Sequence, residues 1–202
     1  MLCSTVVEAV NDALQSFHDR RAAYFYFDFQ EAEKQEFETF VRSLLRQLIA
    51  VEETLPQHII TMYTTFRDKG HSPSTRDLKS SLSHALANAN KETYIILDAL
   101  DEFPQQANTS KRKELLELLT SLVNHHSSRL HVLATSRDET DIREAFEEVA
   151  HHSICLGAAK VDPDIRTYVR SCLEDSGHRF KNFPVSVKIE IEEGLTQRAR
   201  GM

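Results

Sequence analysis

The sequence predicts an α/β fold built on a parallel sheet, and three observations carry that prediction. Short apolar segments at Ala22–Phe29, Tyr94–Leu97 and Arg129–Arg137 alternate with longer segments of helical period. Each of the three runs into polar residues: Asp28, the run from Asp98 to Glu102, and Thr135-Ser136-Arg137. Open parallel sheets bind ligands outside the carboxyl ends of their strands, so these ends predict a shared site.

The elements follow in order. Leu2, Val6, Val10, Ala13, Leu14 and Phe17 recur at helical spacing and predict an opening helix. The aromatic run AAYFYFDF is short and bounded by polar residues, as a buried strand is. Phe37, Phe40, Val41, Leu44, Leu45 and Leu48 mark a helix with a wide apolar face. A shorter helix is predicted around Ile59–Phe66, ending at Gly70. Ser74 followed by Asp77 resembles a capping box, and Leu78, Leu82, Ala85, Leu86 and Ala89 continue as a helix.

Tyr94–Leu97 is the next strand, and Leu115, Leu116, Leu118, Leu119, Leu122 and Val123 mark the next helix. RLHVLATSR is a strand, Ile142, Phe146 and Val149 suit a short helix, and His152–Leu156 a last strand. Asp162 and Pro163 read as the N-cap and first residue of a helix carrying Ile165, Tyr168, Val169, Cys172 and Leu173. In the tail, Val187, Ile191 and Leu195 fit one helical face after Pro184, although Val185, Val187, Ile189 and Ile191 also alternate like a strand.

Composition narrows the function classes. The 202 residues are 41% hydrophobic and 27% charged, ordinary for a globular protein with a core. No stretch approaches the roughly 20 apolar residues of a membrane span. The opening residues lack a signal-peptide pattern, and the three cysteines (Cys3, Cys155, Cys172) have no CxxC spacing. Reduced thiols and a cytoplasmic location are therefore expected, with Cys3 and Cys172 on apolar helix faces and in the core. A net charge of -7 without a basic stripe argues against nucleic acid as a partner. The pairs His125-His126 and His151-His152 are not read as metal ligands, because adjacent residues diverge in a helix or strand. Glycine is scarce: five residues, no two closer than seven positions, so these residues contain no glycine-rich phosphate loop.

The chemistry concentrates at YIILDALDEF. A hydrophobic strand ending in an acid, with further acids just beyond, is the Walker B pattern. Its first acid holds Mg²⁺ through water, and a following acid orients or deprotonates an attacking water. Arg137, at the end of a neighbouring strand, suits a γ-phosphate. Taken singly, an acid at a strand end often caps a loop, and Ser and Thr often cap the next helix. Asp28 is read as structural. A carboxylate-metal hydrolase using Asp28, Asp98 and Asp101 stands as a minor alternative.

The blocks YFYFDF, FVRSLLRQL, YIILDALDEF, HVLATSRDE and DIRTYV, in this order, resemble the NACHT domains of STAND-class P-loop NTPases. They are closest to the fungal nephrocystin-like N-terminal domains of NOD-like-receptor-type proteins. The resemblance implies a three-layer, parallel-sheet P-loop NTPase core over residues 1–157. Residues 158–202 then form a helical extension that begins a helical or winged-helix region. It also implies a central strand and a GxxxxGK[ST] loop ahead of MLCSTVVEAV, which these residues do not contain. Asp98 becomes the Mg²⁺-associated acid, Asp101 and Glu102 the catalytic pair, and Thr135, Ser136 and Arg137 the nucleotide-contacting segment, with Arg137 as sensor. Asp138 departs from the proline usual after that arginine. The implied cofactors are Mg²⁺ with ATP or GTP, and the implied partners are proteins or further copies reached through flanking modules. The expected function is a piece of a nucleotide-dependent signalling switch with impaired binding and hydrolysis. The alternative is a non-enzymatic interaction module.

Overall fold

The computed structural model describes residues 2–14, 17, 19–52, 54–88, 91–105, 111–126, 128–155, 158–174 and 179–199. Its centre is a parallel sheet of β1 (Arg20–Tyr26), β2 (Glu92–Asp98) and β3 (Leu130–Ala134), in that order. Arg20 lies opposite Glu92 and Tyr26 opposite Asp98, while Thr93 lies opposite Leu130 and Leu97 opposite Ala134. The α/β class and the parallel sheet are as the sequence predicts.

Helices α1 (Leu2–Leu14), α2 (Phe37–Ala50), α3 (Gln57–Lys69), α4 (Thr75–Asn88), α5 (Lys111–His126) and α6 (Thr140–Phe146) surround the sheet. Strand alternation assigns the faces. Ala23 and Phe25 of β1, with Ile95 and Leu97 of β2, enter the main core beside Phe40, Leu44, Leu82, Leu115 and Leu119. On the opposite face Ile96 meets Cys3 and Val7 of α1, with Tyr26 packed alongside. Phe27 meets Phe103 edge to face at 5.7 Å, which holds the chain beyond β1 against the chain beyond β2.

Local signals hold at several element ends. Ser74 caps α4 as a reciprocal box: Asp77 N–H donates to Ser74 Oγ at 3.3 Å, and Ser74 N–H donates to Asp77 Oδ2 at 3.0 Å. Gly70, at φ 63°, closes α3 in the left-handed conformation that favours glycine.

The first strand begins two residues earlier than predicted and stops at Tyr26. Arg20 and Arg21 belong to it because Arg21 is buried and neutralised, while Asp28 and Phe29 leave it in a turn in which Gln30 N–H donates to Asp28 Oδ1 at 2.8 Å. The third strand stops at Ala134, before Thr135. The strand expected at His152–Leu156 is absent over 152–155: that segment is irregular and exposed, with Ile154 79% accessible, and it pairs with no strand among the described residues. Leu156 and Ala89 lie outside the described residues.

The chain divides into two units, Met1–Ala150 and His151–Met202. In the second, α7 (Ala158–Glu174) and α8 (Val185–Ala199) pair, and Glu192 of α8 accepts from Arg170 Nη2 of α7 at 2.7 Å. The expected cap at Asp162 is overturned, because α7 starts earlier and Pro163 lies inside it. Ala158, Ala159 and Lys160 are strong helix formers, and a proline so near the start forfeits one bond, to the Ala159 carbonyl. The tail is helical; Pro184 precedes it and its carbonyl accepts from Val187 N–H at 3.0 Å. Cys172 is half-buried rather than core. No helix among the described residues is long and apolar enough to cross a membrane.

One buried guanidinium fastens the amino end of the sheet. Arg21 is 3% exposed, and its Nε donates to Thr93 Oγ1 at 3.0 Å. Nη1 donates to Glu52 Oε1 at 2.9 Å and Nη2 to the Ala85 carbonyl at 2.8 Å, with the Leu48 carbonyl at 3.4 Å from Nη1. Leu48 and Ala85 stand in the last turns of α2 and α4, where carbonyls lack helical partners and a cation is favourable. Arg21→Met leaves Thr93 Oγ1 and the Leu48 and Ala85 carbonyls without their donor, while Glu52 keeps Lys91 Nζ at 3.2 Å. Urea unfolding is expected to read a loss of about 3 kcal/mol for it, from these unsatisfied buried acceptors.

His58 of α3 and His84 of α4 face each other, ring centroids 5.6 Å apart. Burial, and then the neighbouring His84, hold the His58 imidazole below its ordinary value of 6.5. The folded state therefore binds its proton less readily than the unfolded chain. The stability that the neutral His58 imidazole supplies is fully present above pH 6.5 and is lost as pH falls through the depressed folded value. His58→Gln is expected to flatten the fall in stability between neutral pH and pH 5, measured by urea melts at each pH.

Candidate functional site

The polar site forms where the carboxyl ends of β2 and β3 diverge. Pairing continues one residue past β3, since Thr135 N–H donates to the Leu97 carbonyl at 2.9 Å. The Thr135 carbonyl then accepts from Leu100 N–H, also at 2.9 Å. Between these bonds Ala99 takes φ 55°, ψ 50°, a left-handed conformation that costs a non-glycine residue about 1 kcal/mol. This kink turns β2 sharply into a 3-10 turn at Leu100–Glu102.

The Thr135 hydroxyl stitches the kink together. It donates to Asp98 Oδ1 at 2.7 Å and accepts from Ala99 N–H at 3.1 Å. Cys3 Sγ of α1 also donates to it, at 3.8 Å. The hydroxyl's single proton thus goes to the carboxylate. Burial first, and then the Asp98 carboxylate, push the Cys3 thiol up to about 11. Cys3 is a protonated donor here, and α1 is tied through it to the strand ends.

The other acids also have partners. Asp101 Oδ1 accepts from Arg137 N–H at 3.0 Å, and its Oδ2 lies 3.4 Å from Arg137 Nε. Glu102 Oε2 accepts from Phe29 N–H at 3.1 Å, bracing the chain beyond β1. Ser136 donates to the carbonyl of Arg137, within its own segment. Asp138 pairs with Arg143 of α6 at 2.7 Å, so it does not compete for Arg137.

Of the residues singled out in the sequence, the structure therefore joins Asp98 with Thr135 and Asp101 with Arg137. Glu102 reaches β1, and Ser136 contacts neither pair. The kink at Ala99 and the contact from Cys3 were not read from the sequence. A left-handed alanine leaves no mark in DALDE, and Cys3 reads simply as one more apolar residue on its helix.

Asp98 offers a hard oxygen donor at the sheet edge. No group of three His, Cys, Asp or Glu side chains placed to hold a metal occurs among the described residues, which removes the geometry of the Asp28, Asp98 and Asp101 alternative. A cation here would take Asp98 and complete its shell with water or ligand oxygens. That donor set fits Mg²⁺, which keeps several waters.

A parallel α/β domain with its polar residues gathered at one carboxyl edge is the class this geometry defines. The family model described as Nephrocystin 3, N-terminal, matches residues 1–137, and the chain belongs to that family. The matched region runs from α1 through Arg137, taking in every residue of the site. Neither the curated proteins nor the solved structures include a significant match to the chain.

Cys155 is exposed, whereas Cys3 is buried and protonated. The thiolate is the reactive form, so iodoacetamide at pH 8 is expected to label Cys155 rapidly and Cys3 only when the fold opens. Peptide mapping against time checks this order, and Thr135→Val is expected to speed Cys3 labelling.

Proposed function

We propose that this chain is the Mg²⁺-facing part of a nucleotide-dependent signalling switch of the NACHT type, within the STAND class of P-loop NTPases. The observation that carries this reading is the 2.7 Å bond from the Thr135 hydroxyl to Asp98, which presents an oriented carboxylate at the junction of two parallel strands. Asp98 is the residue that would hold Mg²⁺, through water. The ion would supply charge neutralisation for the phosphates of ATP or GTP. Arg137, 65% exposed at the same edge, would meet a phosphate oxygen. Asp101 and Glu102 would orient water. The three unpaired cysteines suit a cytoplasmic setting, and the signal would pass to protein partners or further copies through flanking modules.

The phosphate side of such a site needs backbone amides at a helix start and a lysine, and these 202 residues hold no GxxxxGK[ST] segment. Their own affinity is therefore that of the acidic half alone. A titration of the 202-residue chain with a fluorescent ATP analogue and Mg²⁺ is expected to show no micromolar binding and no hydrolysis above background. Micromolar affinity that Asp98→Ala abolishes would contradict this expectation. A chain extended through a strand and a GxxxxGKS loop is expected to bind, and its failure to do so sinks the nucleotide reading.

A second reading, a non-enzymatic interaction module, is favoured by one observation. Asp98, Asp101 and Glu102 each already satisfy a partner within the chain. The extended chain separates the two, since only a switch would couple nucleotide to a change in self-association or partner capture.

A further inference from the structure

We propose that the Asp101–Arg137 pair is a latch that a phosphate anion opens: the anion takes the Arg137 guanidinium, and Asp101 Oδ2 is freed to face the bound ligand while Oδ1 keeps the Arg137 backbone N–H. This inference rests on the nucleotide reading and adds a regulation to it. In the structure both carboxylate oxygens of Asp101 are turned to Arg137, one on its backbone N–H and one near Nε. The Asp101 side chain is only 9% exposed in this position, so it is out of reach of a ligand.

The two halves of the pair are held unequally. The backbone bond is 3.0 Å, whereas the Nε contact is 3.4 Å, long against the roughly 2.7–2.9 Å of a charge-assisted bond. The guanidinium is the solvent-facing partner, and Asp101 is its only ion-pair partner among the described residues. A phosphate offers that guanidinium two parallel bonds in place of one long contact. Asp138, the nearest rival acid in sequence, is committed to Arg143.

The β2 side of the junction resists movement. Asp98, Ala99 and Leu100 are all bonded to Thr135, so displacement falls on the Arg137 side chain. Two states then exclude each other. Either the Arg137 guanidinium neutralises Asp101, or it binds the anion while Asp101 Oδ2 stands free beside it, Oδ1 still held by the Arg137 backbone N–H.

The test uses NMR on the full 202-residue chain, because titrations read this way reach millimolar affinities. Without ligand, exchange of the Arg137 Nε–H is expected to be slower in the wild type than in Asp101→Asn; equal rates overturn the latch. With Mg²⁺-ATP, Asp101→Asn is expected to bind several-fold more tightly than the wild type, and Arg137→Gln added to it is expected to erase the gain. A gain that survives in the double variant, or no gain where the wild type binds, overturns the latch. Inorganic tripolyphosphate separates this idea from the nucleotide reading. If ATP binds no variant but tripolyphosphate shifts the Arg137 Nε–H signal in the wild type, the nucleotide reading fails and the latch stands. If neither probe shifts it, the latch fails.

Discussion

The site depends on β2 being paired along both edges while its side chains enter two apolar layers. A strand so enclosed cannot carry a charge within its length, because burying an unpaired carboxylate is costly. Its acids therefore stand only at its two ends, Glu92 and Asp98, and the site's acids begin at Asp98, where the enclosure ends. The parallel register brings the ends of β1 and β3 to the same level. Hydrophobic burial thus decides where the polar chemistry can be, and a few hydrogen bonds then decide how it is oriented.

Two side chains close the two ends of that strand. At its amino end Arg21 reaches across from β1 to Thr93 and to the final turns of α2 and α4. At its carboxyl end Thr135 reaches back from beyond β3 to Asp98 and Ala99. The first link is a buried cation with several acceptors, so it acts on the stability of the whole unit. The second is a neutral hydroxyl among partly buried groups, so it acts on geometry. Helices α2 and α4 answer to the first, and α1, through Cys3, answers to the second.

What was legible in the sequence follows from the same division. Elements whose burial is periodic, such as α2 with Phe37, Phe40, Val41, Leu44 and Leu45, were readable because solvent imposes the period. The strand ends bearing Asp98 and Thr135 were readable because polarity changes abruptly there. The start of β1 was hidden, since a buried arginine contradicts the polarity rule until its four acceptors are known. His152–Cys155 failed for the opposite reason: its composition suits a strand, but no partner strand receives it among the described residues. The pairing of Asp101 with Arg137 was also out of reach, because it spans 36 positions and depends on the left-handed turn at Ala99.

The one-sided pairing of β3 has a kinetic meaning. β1 and β2 can stay zipped while β3, paired along a single edge among the described residues and with Leu133 43% exposed, peels away. Both Thr135 and Arg137 travel with β3. The lifetime of the assembled site is therefore governed by opening of that one strand, which costs less than unfolding the whole unit. A perturbation too small to register in a global melt can still scatter these groups, and anything that seals the outer edge of β3 would extend the time they spend together.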